Sequence, residues 1–461
     1  MPLVLLVLAL FVSGCGEKMP PAPTPVGELL ILTRAASTAA AGDETSGTTA
    51  FDHDLAQMLA QELGLKSRIV FAESEAELLR QLKSGQAHLA AAWQIPVDDP
   101  ELRSSSPYFD SHNVLVTHEA SVPFRQIEQL ANKTVHVVAG SRQEAALRTV
   151  KKKVASLTIA ATSERNELDL MEGVATRRYE AALVNNADFD IGSNYYPELQ
   201  ASLVVGSPRP IVWLFSPHAE PELIEKADAF LARIEKNGEM DRLKDRYFGH
   251  VDRLTQADSV RFIERMRSVL PRYRDFFRSA QTRTGIDWRV LAALAYQESQ
   301  WDPLAVSPTG VRGLMMLTGD TADALGVSNR LDPEQSIRAG AKYLSDLRDA
   351  LPASVDEPDR LSLALAAYNL GMGHLNAARY IARTQNANPD SWYEMKKVLP
   401  LLAKPQYYSR LKSGRGRGGE AVIMAENVRI YNDILSRHER PYRPIERLAR
   451  AESSRFQAAG P

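Results

Sequence analysis

The chain has 461 residues, of which 44% are hydrophobic and 24% charged, and its formal net charge is −2. At ~150 residues per domain this is too long for one compact core and fits about three units. The balanced charge excludes a globally nucleic-acid-binding surface, and a single cysteine excludes any internal disulfide.

Residues 3–12 are almost wholly aliphatic and run into Val12-Ser13-Gly14-Cys15. As a helix the run is too short to cross ~30 Å of hydrocarbon. It resembles a bacterial lipoprotein signal over residues 1–15, with Cys15 as the lipidation site, although no Lys or Arg precedes the apolar run. A cleaved signal with a chance cysteine is the alternative. Residues 16–27, rich in proline, read as a linker.

Between residues 28 and 250 short β-rich runs alternate with helical patterns, as in Leu29–Leu32, Asp52–Leu63, Ser67–Phe71 and Glu75–Lys83. That order is α/β. Phe51-Asp52-His53-Asp54-Leu55-Ala56, Ser106-Pro107-Tyr108-Phe109, the run Lys133–Ser141 and Ala181-Ala182-Leu183-Val184 together resemble the family-3 periplasmic solute-binding proteins. The resemblance implies a two-lobed, ligand-binding regulatory domain. In that family an Arg before the Ser-x-Pro-Tyr segment holds a ligand carboxylate, because its planar fork matches two oxygens. Here the nearest, Arg103, is displaced, so the resemblance carries fold more than ligand. Asp188 reads as a helix cap or as a partner for an amino group.

From about Ala257 the pattern turns helical, with amphipathic runs at Val260–Leu270, Val290–Gln300, Pro333–Asp349 and Arg360–Asn369. The second domain, residues 257–450, is therefore expected to be all-α, followed by a tail at 451–461. Asp287 is a good N-cap with Ile286 in the staple position, and Leu291, Leu294 and Ala295 share one face. Glu298 continues that apolar stripe. A carboxyl pressed against an apolar wall stays protonated near neutrality and can act as an acid. The alternative is a structural Glu paired with an Arg.

Glu298-Ser299, the run Gly310–Thr318 containing Gly313-Leu314-Met315-Met316, and Ala366-Ala367-Tyr368-Asn369-Leu370-Gly371 resemble, in that order, the lysozyme-like family 1 lytic transglycosylases. The resemblance implies a lysozyme-like fold in which one carboxylate, Glu298, does both proton transfers. It protonates the oxygen leaving N-acetylmuramic acid and then accepts the proton of the C6 hydroxyl that closes a 1,6-anhydro ring. Ser299 would order the helix end, Met315 and Met316 would form a wall of the cleft, and Tyr368 and Asn369 would lie over the reacting sugar. Where many relatives have a tyrosine before the last helix this chain has Met424, and Tyr431 is the candidate substitute. Asp302, one turn beyond Glu298, reads as a helix terminator.

No metal-ligand spacing, phosphate loop or dinucleotide fingerprint occurs, so neither metal nor cofactor is expected. The partners this reading implies are peptidoglycan glycan strands, a stem-peptide ligand on the first domain, and the outer membrane through a lipid anchor or peripheral association, without nucleic acid. That places the chain on the periplasmic face of the outer membrane of a Gram-negative bacterium. Two other readings stay open: a solute-binding lipoprotein whose helical domain only grips peptidoglycan, and a goose-type hydrolytic lysozyme. Residues 401–461 carry 12 Lys/Arg against 6 Asp/Glu, a basic excess that fits a solvated tail or an anionic partner.

Overall fold

The computed structural model describes residues 27–34, 48–162, 166–249, 254–308 and 310–443. Cys15 and the segments expected to be the signal and the tail lie outside them. The chain divides into two compact units: residues 1–35, 52–111 and 208–236, and residues 36–51, 112–207 and 237–461.

In the first unit β1 (Glu28–Arg34) pairs in parallel with β2 (Lys66–Ala72), Ile31 facing Ile69, and with β3 (Leu89–Gln94). Leu29, Ile31, Leu32 and Thr33 of β1 are all buried, as expected of a central strand covered on both faces. Helix α1 (Thr48–Glu62) begins in the second unit and continues into the first, where Leu55 and Leu59 repeat at four-residue spacing. Helix α2 (Glu75–Lys83) starts where the Ser74 hydroxyl accepts from Glu77 N and buries Leu78 and Leu82. The short strand β4 (Arg103–Ser104) holds Arg103, whose guanidinium donates to Ala219 O. That bond commits the side chain to the backbone. Asp52, fully buried, accepts from Tyr108 Oη and Trp93 N.

The chain passes between units within β5 (Phe109–His118). The second unit then runs through β6 (Thr134–Val138), helix α3 (Arg142–Lys151), β7 (Thr158–Thr162), helix α4 (Glu167–Ala175), β8 (Ala181–Asn185) and helix α5 (Asn186–Tyr195). The strand order is β5-β8-β6-β7, with β5 antiparallel to β8 and the rest parallel. The chain returns to the first unit within β9 (Leu199–Phe215), whose Leu214 faces Ala90. Helix α6 (Pro221–Lys236) follows there, stacking Phe230 on Trp213 with centroids 6.3 Å apart. Asp188, on α5, accepts from Thr48 Oγ1 at 3.1 Å and so caps α1 from 140 residues away. Burial raises its pKa.

The helical part of the second unit runs α7 (Glu239–Phe248), α8 (Gln256–Ser268), α9 (Arg274–Thr284), α10 (Trp288–Ser299), α11 (Gly319–Ala324), α12 (Pro333–Asp349), α13 (Asp359–Leu370), α14 (Met372–Thr384), α15 (Trp392–Val398), α16 (Pro405–Tyr408) and α17 (Gly418–His438). Its centre is α10, where all nine residues from Trp288 to Tyr296 are buried. A helix apolar all round must be enclosed. Helices α9, α12 and α17 pack against it, and α13 lies against α12 and α17.

One apolar core runs from the strands of this unit into its helices, joining Val184, Tyr195, Tyr196 and Leu199 to Phe262, Leu294 and Ile434. Polar ties reinforce it. Arg437 of α17 donates to Asp169 at 2.8 Å, Glu172 at 3.2 Å and Tyr196 Oη at 2.8 Å. Lys396 pairs with Asp245, and Gln256 donates to Pro197 O. The junction expected near residue 250 therefore separates two sequence patterns, whereas the packing joins the later strands to the helices.

Candidate active site

Asp287 caps α10 by accepting from Arg289 N at 2.8 Å, so the helix starts where its sequence indicates. It ends after Ser299, where Gln300 and Trp301 both take positive φ, 54° and 59°. For residues with a Cβ this conformation costs ~1–2 kcal/mol each. The fully buried Trp301 offsets that cost: its ring packs on Phe262 and Tyr296, and its indole donates to Ala292 O at 2.8 Å. This reversal leaves Glu298 on the last turn of a buried helix, half-buried and free of any ion pair among the described residues. Burial pushes its carboxyl up to about 7, and no neighbouring charge contributes.

Ser299 Oγ lies 3.1 Å from Ala295 O and donates to Leu314 O at 2.8 Å, tying the helix end to the turn that follows Gly313. Gly313 has φ +80°, and a Cβ there would lie 1.8 Å from Arg330 O, so only glycine fits. The turn is held again where Met315 N donates to the buried Ser336 Oγ at 3.1 Å. Met316 then takes φ 47°. Three strained non-glycine residues thus flank the acid, a concentration typical of functional sites.

Tyr368, near the end of α13, donates its phenol proton to Met315 O at 2.8 Å. Its pKa is raised far above the ordinary value, mainly by burial and then by the charge of Glu298. With its proton committed to Met315 O, the phenol oxygen can act only as an acceptor toward any further group. Asn369 is exposed beside it.

Two expectations change. Met315 has no exposed surface: its side chain fills the core against Gly340, and its carbonyl alone serves the site. Met316 stays half-exposed, so of the two methionines only its side chain is accessible. Tyr431 packs on the aromatic side of α10, its ring 4.5 Å from Phe262 and 4.8 Å from Tyr296, where the nearby charges are Asp258 and Arg261. It belongs to an aromatic cluster that supports α10. Asp302 accepts from Leu304 N at 2.9 Å, capping the next turn. Sequence reasoning missed Tyr343 of α12, whose ring centroid is 5.2 Å from that of Tyr368. It also missed Gln297, which accepts from Asn427 at 3.1 Å. Among the described residues no cluster of His, Cys, Asp or Glu could hold a metal.

A half-buried acid on a helix end, a glycine-forced turn and a tyrosine bonded to that turn point to the class: a transglycosylase-type domain following a solute-binding-protein fold. Two family models match accordingly, Bacterial extracellular solute-binding proteins, family 3, over residues 36–250 and Transglycosylase SLT domain over residues 275–391. Proteins named membrane-bound lytic murein transglycosylase F are similar along nearly the whole chain. That of Methylobacillus flagellatus is 39% identical over 96% of this chain and 95% of its own. Those of Thiobacillus denitrificans and Ectopseudomonas mendocina are 40% and 38% identical, covering 97% and 93% of this chain and 95% and 89% of theirs. Among solved structures, an ancestral arginine-binding protein is 23% identical over 48% of this chain and 99% of its own, with a TM-score of 0.42. The chain belongs to the membrane-bound lytic murein transglycosylase F family.

Proposed function

We propose that this chain cleaves the β-1,4 bond between N-acetylmuramic acid and N-acetylglucosamine in peptidoglycan without consuming water. The observation that carries the reading is Glu298: an unpaired carboxyl that burial holds at about 7, poised both to give and to take a proton. Protonated, it donates to the leaving glycosidic oxygen. As a carboxylate it then accepts the proton of the C6 hydroxyl, which attacks C1 of the same sugar and closes a 1,6-anhydro ring. The attacking hydroxyl is already part of the substrate, so its large effective molarity replaces an activated water. Hydrolysis usually employs a second carboxylate, and none perturbs Glu298. Ser299 and Tyr368 act as positioning residues that hold the acid and the Gly313 turn in register, while Asn369 and Met316 face the glycan.

The solute-binding fold in front takes a small cell-wall-derived ligand, a stem peptide being the best chemical fit, and modulates cleavage. Arg103 is bound to Ala219 O, so that ligand's carboxylate is held by other groups. Cys15 anchors the chain by lipidation at the periplasmic face of the outer membrane; among the described residues no helix is long and apolar enough to cross a membrane. Mass spectrometry of products from purified peptidoglycan tests the central reading. Muropeptides ending in 1,6-anhydro-N-acetylmuramic acid are expected, and reducing ends alone would make the chain a hydrolase. Calorimetry with stem peptides tests the ligand, and Cys15→Ser should move the protein from the membrane to the soluble fraction.

A further inference from the structure

Between Lys404 and Gly419 the chain carries five cations, Lys404, Arg410, Lys412, Arg415 and Arg417, and no acidic residue. All five are exposed. Arg417 pairs with Glu420 at 3.2 Å, and the other four have no acidic partner among the described residues. Elsewhere in the basic C-terminal region arginines serve the fold, as Arg429 does with Glu426 and Arg437 with Asp169. The loop is therefore a separate population of charge.

It is also a fixed one. Helix α16 opens it, Gly416 N bonds back to Leu402 O at 3.1 Å, and Tyr407 Oη accepts from Gln385 at 3.0 Å. A Cβ on Gly416 would lie 2.8 Å from His374 Cδ2, and His374 Nδ1 donates to Leu370 O at 3.1 Å. Leu370 directly follows Tyr368 and Asn369. The basic loop is thus packed onto the end of α13 that carries the cleft residues. It lies beyond residues 275–391, the span matched by the transglycosylase family model.

We propose that this loop binds the free carboxylates of stem peptides on the glycan strand being cut, making the enzyme selective for peptide-bearing over peptide-stripped glycan. The inference rests on the cleavage reading above. Like-signed exposed cations beside a cleft raise the local concentration of an anionic chain and discriminate by charge. A membrane surface fits less well. No large apolar side chain is exposed between Lys404 and Arg417, Tyr407, Tyr408 and Leu411 being half-buried, so the loop has nothing to insert between lipids.

The test compares the full chain with its Arg410→Gln/Lys412→Gln/Arg415→Gln variant on murein sacculi and on the same sacculi stripped of peptides by an amidase. Stripping leaves only the lactyl carboxylate close to the ring and removes those carried further out. Wild type should favour the peptide-bearing substrate in kcat/KM by about tenfold at low salt, a preference that shrinks as salt is raised. The variant should lose that preference, its ratio falling to about one. An unchanged ratio overturns the proposal, as does an equal loss on both substrates. Pelleting with phosphatidylglycerol vesicles is the second arm: a loss of vesicle binding with the substrate ratio intact would make the loop a lipid contact and overturn it too. A wild type that cleaves neither substrate removes the cleavage reading itself, and the inference with it.

Discussion

Glu426 on α17 and Glu298 on α10 sit in the same helical core and are treated in opposite ways. Glu426 has no exposed surface; its Oε1 accepts from Trp392 Nε1 and from Arg429 at 3.2 Å, and Lys396 forms an ion pair with it at 3.9 Å. Glu298 is half-buried, has no cation beside it, and its proton is consequently held at about 7. A buried carboxylate supplied with cations becomes part of the framework, and one denied them becomes a reagent. The partners around Glu426 also tie α15 to α17, the helix that packs against α10, so this carboxylate helps hold the helix that carries Glu298.

The sharpest way to break this comparison is to neutralise the framework carboxylate. Glu426→Gln removes the fully buried charge that Arg429 and Lys396 meet and should cost about 3 kcal/mol or more. A denaturant midpoint within error of wild type would deny Glu426 its framework role.

Glu298→Gln should instead cut cleavage by at least ~100-fold, about 2.7 kcal/mol in the barrier, because shape is kept and the transferable proton is lost. Released anhydro-muropeptides measure it. Near-normal turnover would place the acid elsewhere. In the wild type kcat/KM should fall above about pH 7, as the free enzyme's acid loses its proton.

The same substitution should raise stability. The folded-state pKa of Glu298 lies above its ordinary value of 4.5, so its favourable contribution is complete below about 4.5 and lost as pH rises through about 7. An uncharged amide in its place carries no such penalty. The variant should gain about 2 kcal/mol at pH 8 and nothing at pH 4, read by melting at both values. A loss at pH 8 would mean that the carboxylate has a stabilising partner. Smallest is Ser299→Ala, which removes the 2.8 Å bond to Leu314 O and should cost about 1 kcal/mol, with a modest fall in kcat.

Much of this was readable beforehand where local chemistry decides. Glu75–Lys83 and Pro333–Asp349 are helices at those bounds, because Ser74 and Asp332 cap them and the apolar spacing between is regular. Glu298 stood out because it continued an apolar stripe. Met315 and Met316 are indistinguishable as residue types, and only the positive φ values of Gly313 and Met316 send one side chain to the core and leave the other accessible. Tyr431 and Tyr343 exchanged importance for a similar reason: helical spacing indicates an apolar face without naming the ring that will meet it. The Thr48–Asp188 cap joins residues 140 apart, a distance that no local pattern encodes.

The continuity between the strands of the second unit and its helices bears on where this chain can be shortened. A fragment beginning at Ala257, where the sequence changes character, would leave Arg437 without Asp169, Glu172 and Tyr196, and would strip the face of α17 that meets α5. The complementary fragment would present Tyr195, Tyr196 and Leu199 to water as a contiguous sticky patch. The later piece would keep most of that core with one edge uncovered and the earlier piece only a small part of it, and apolar edges exposed in this way lead to aggregation.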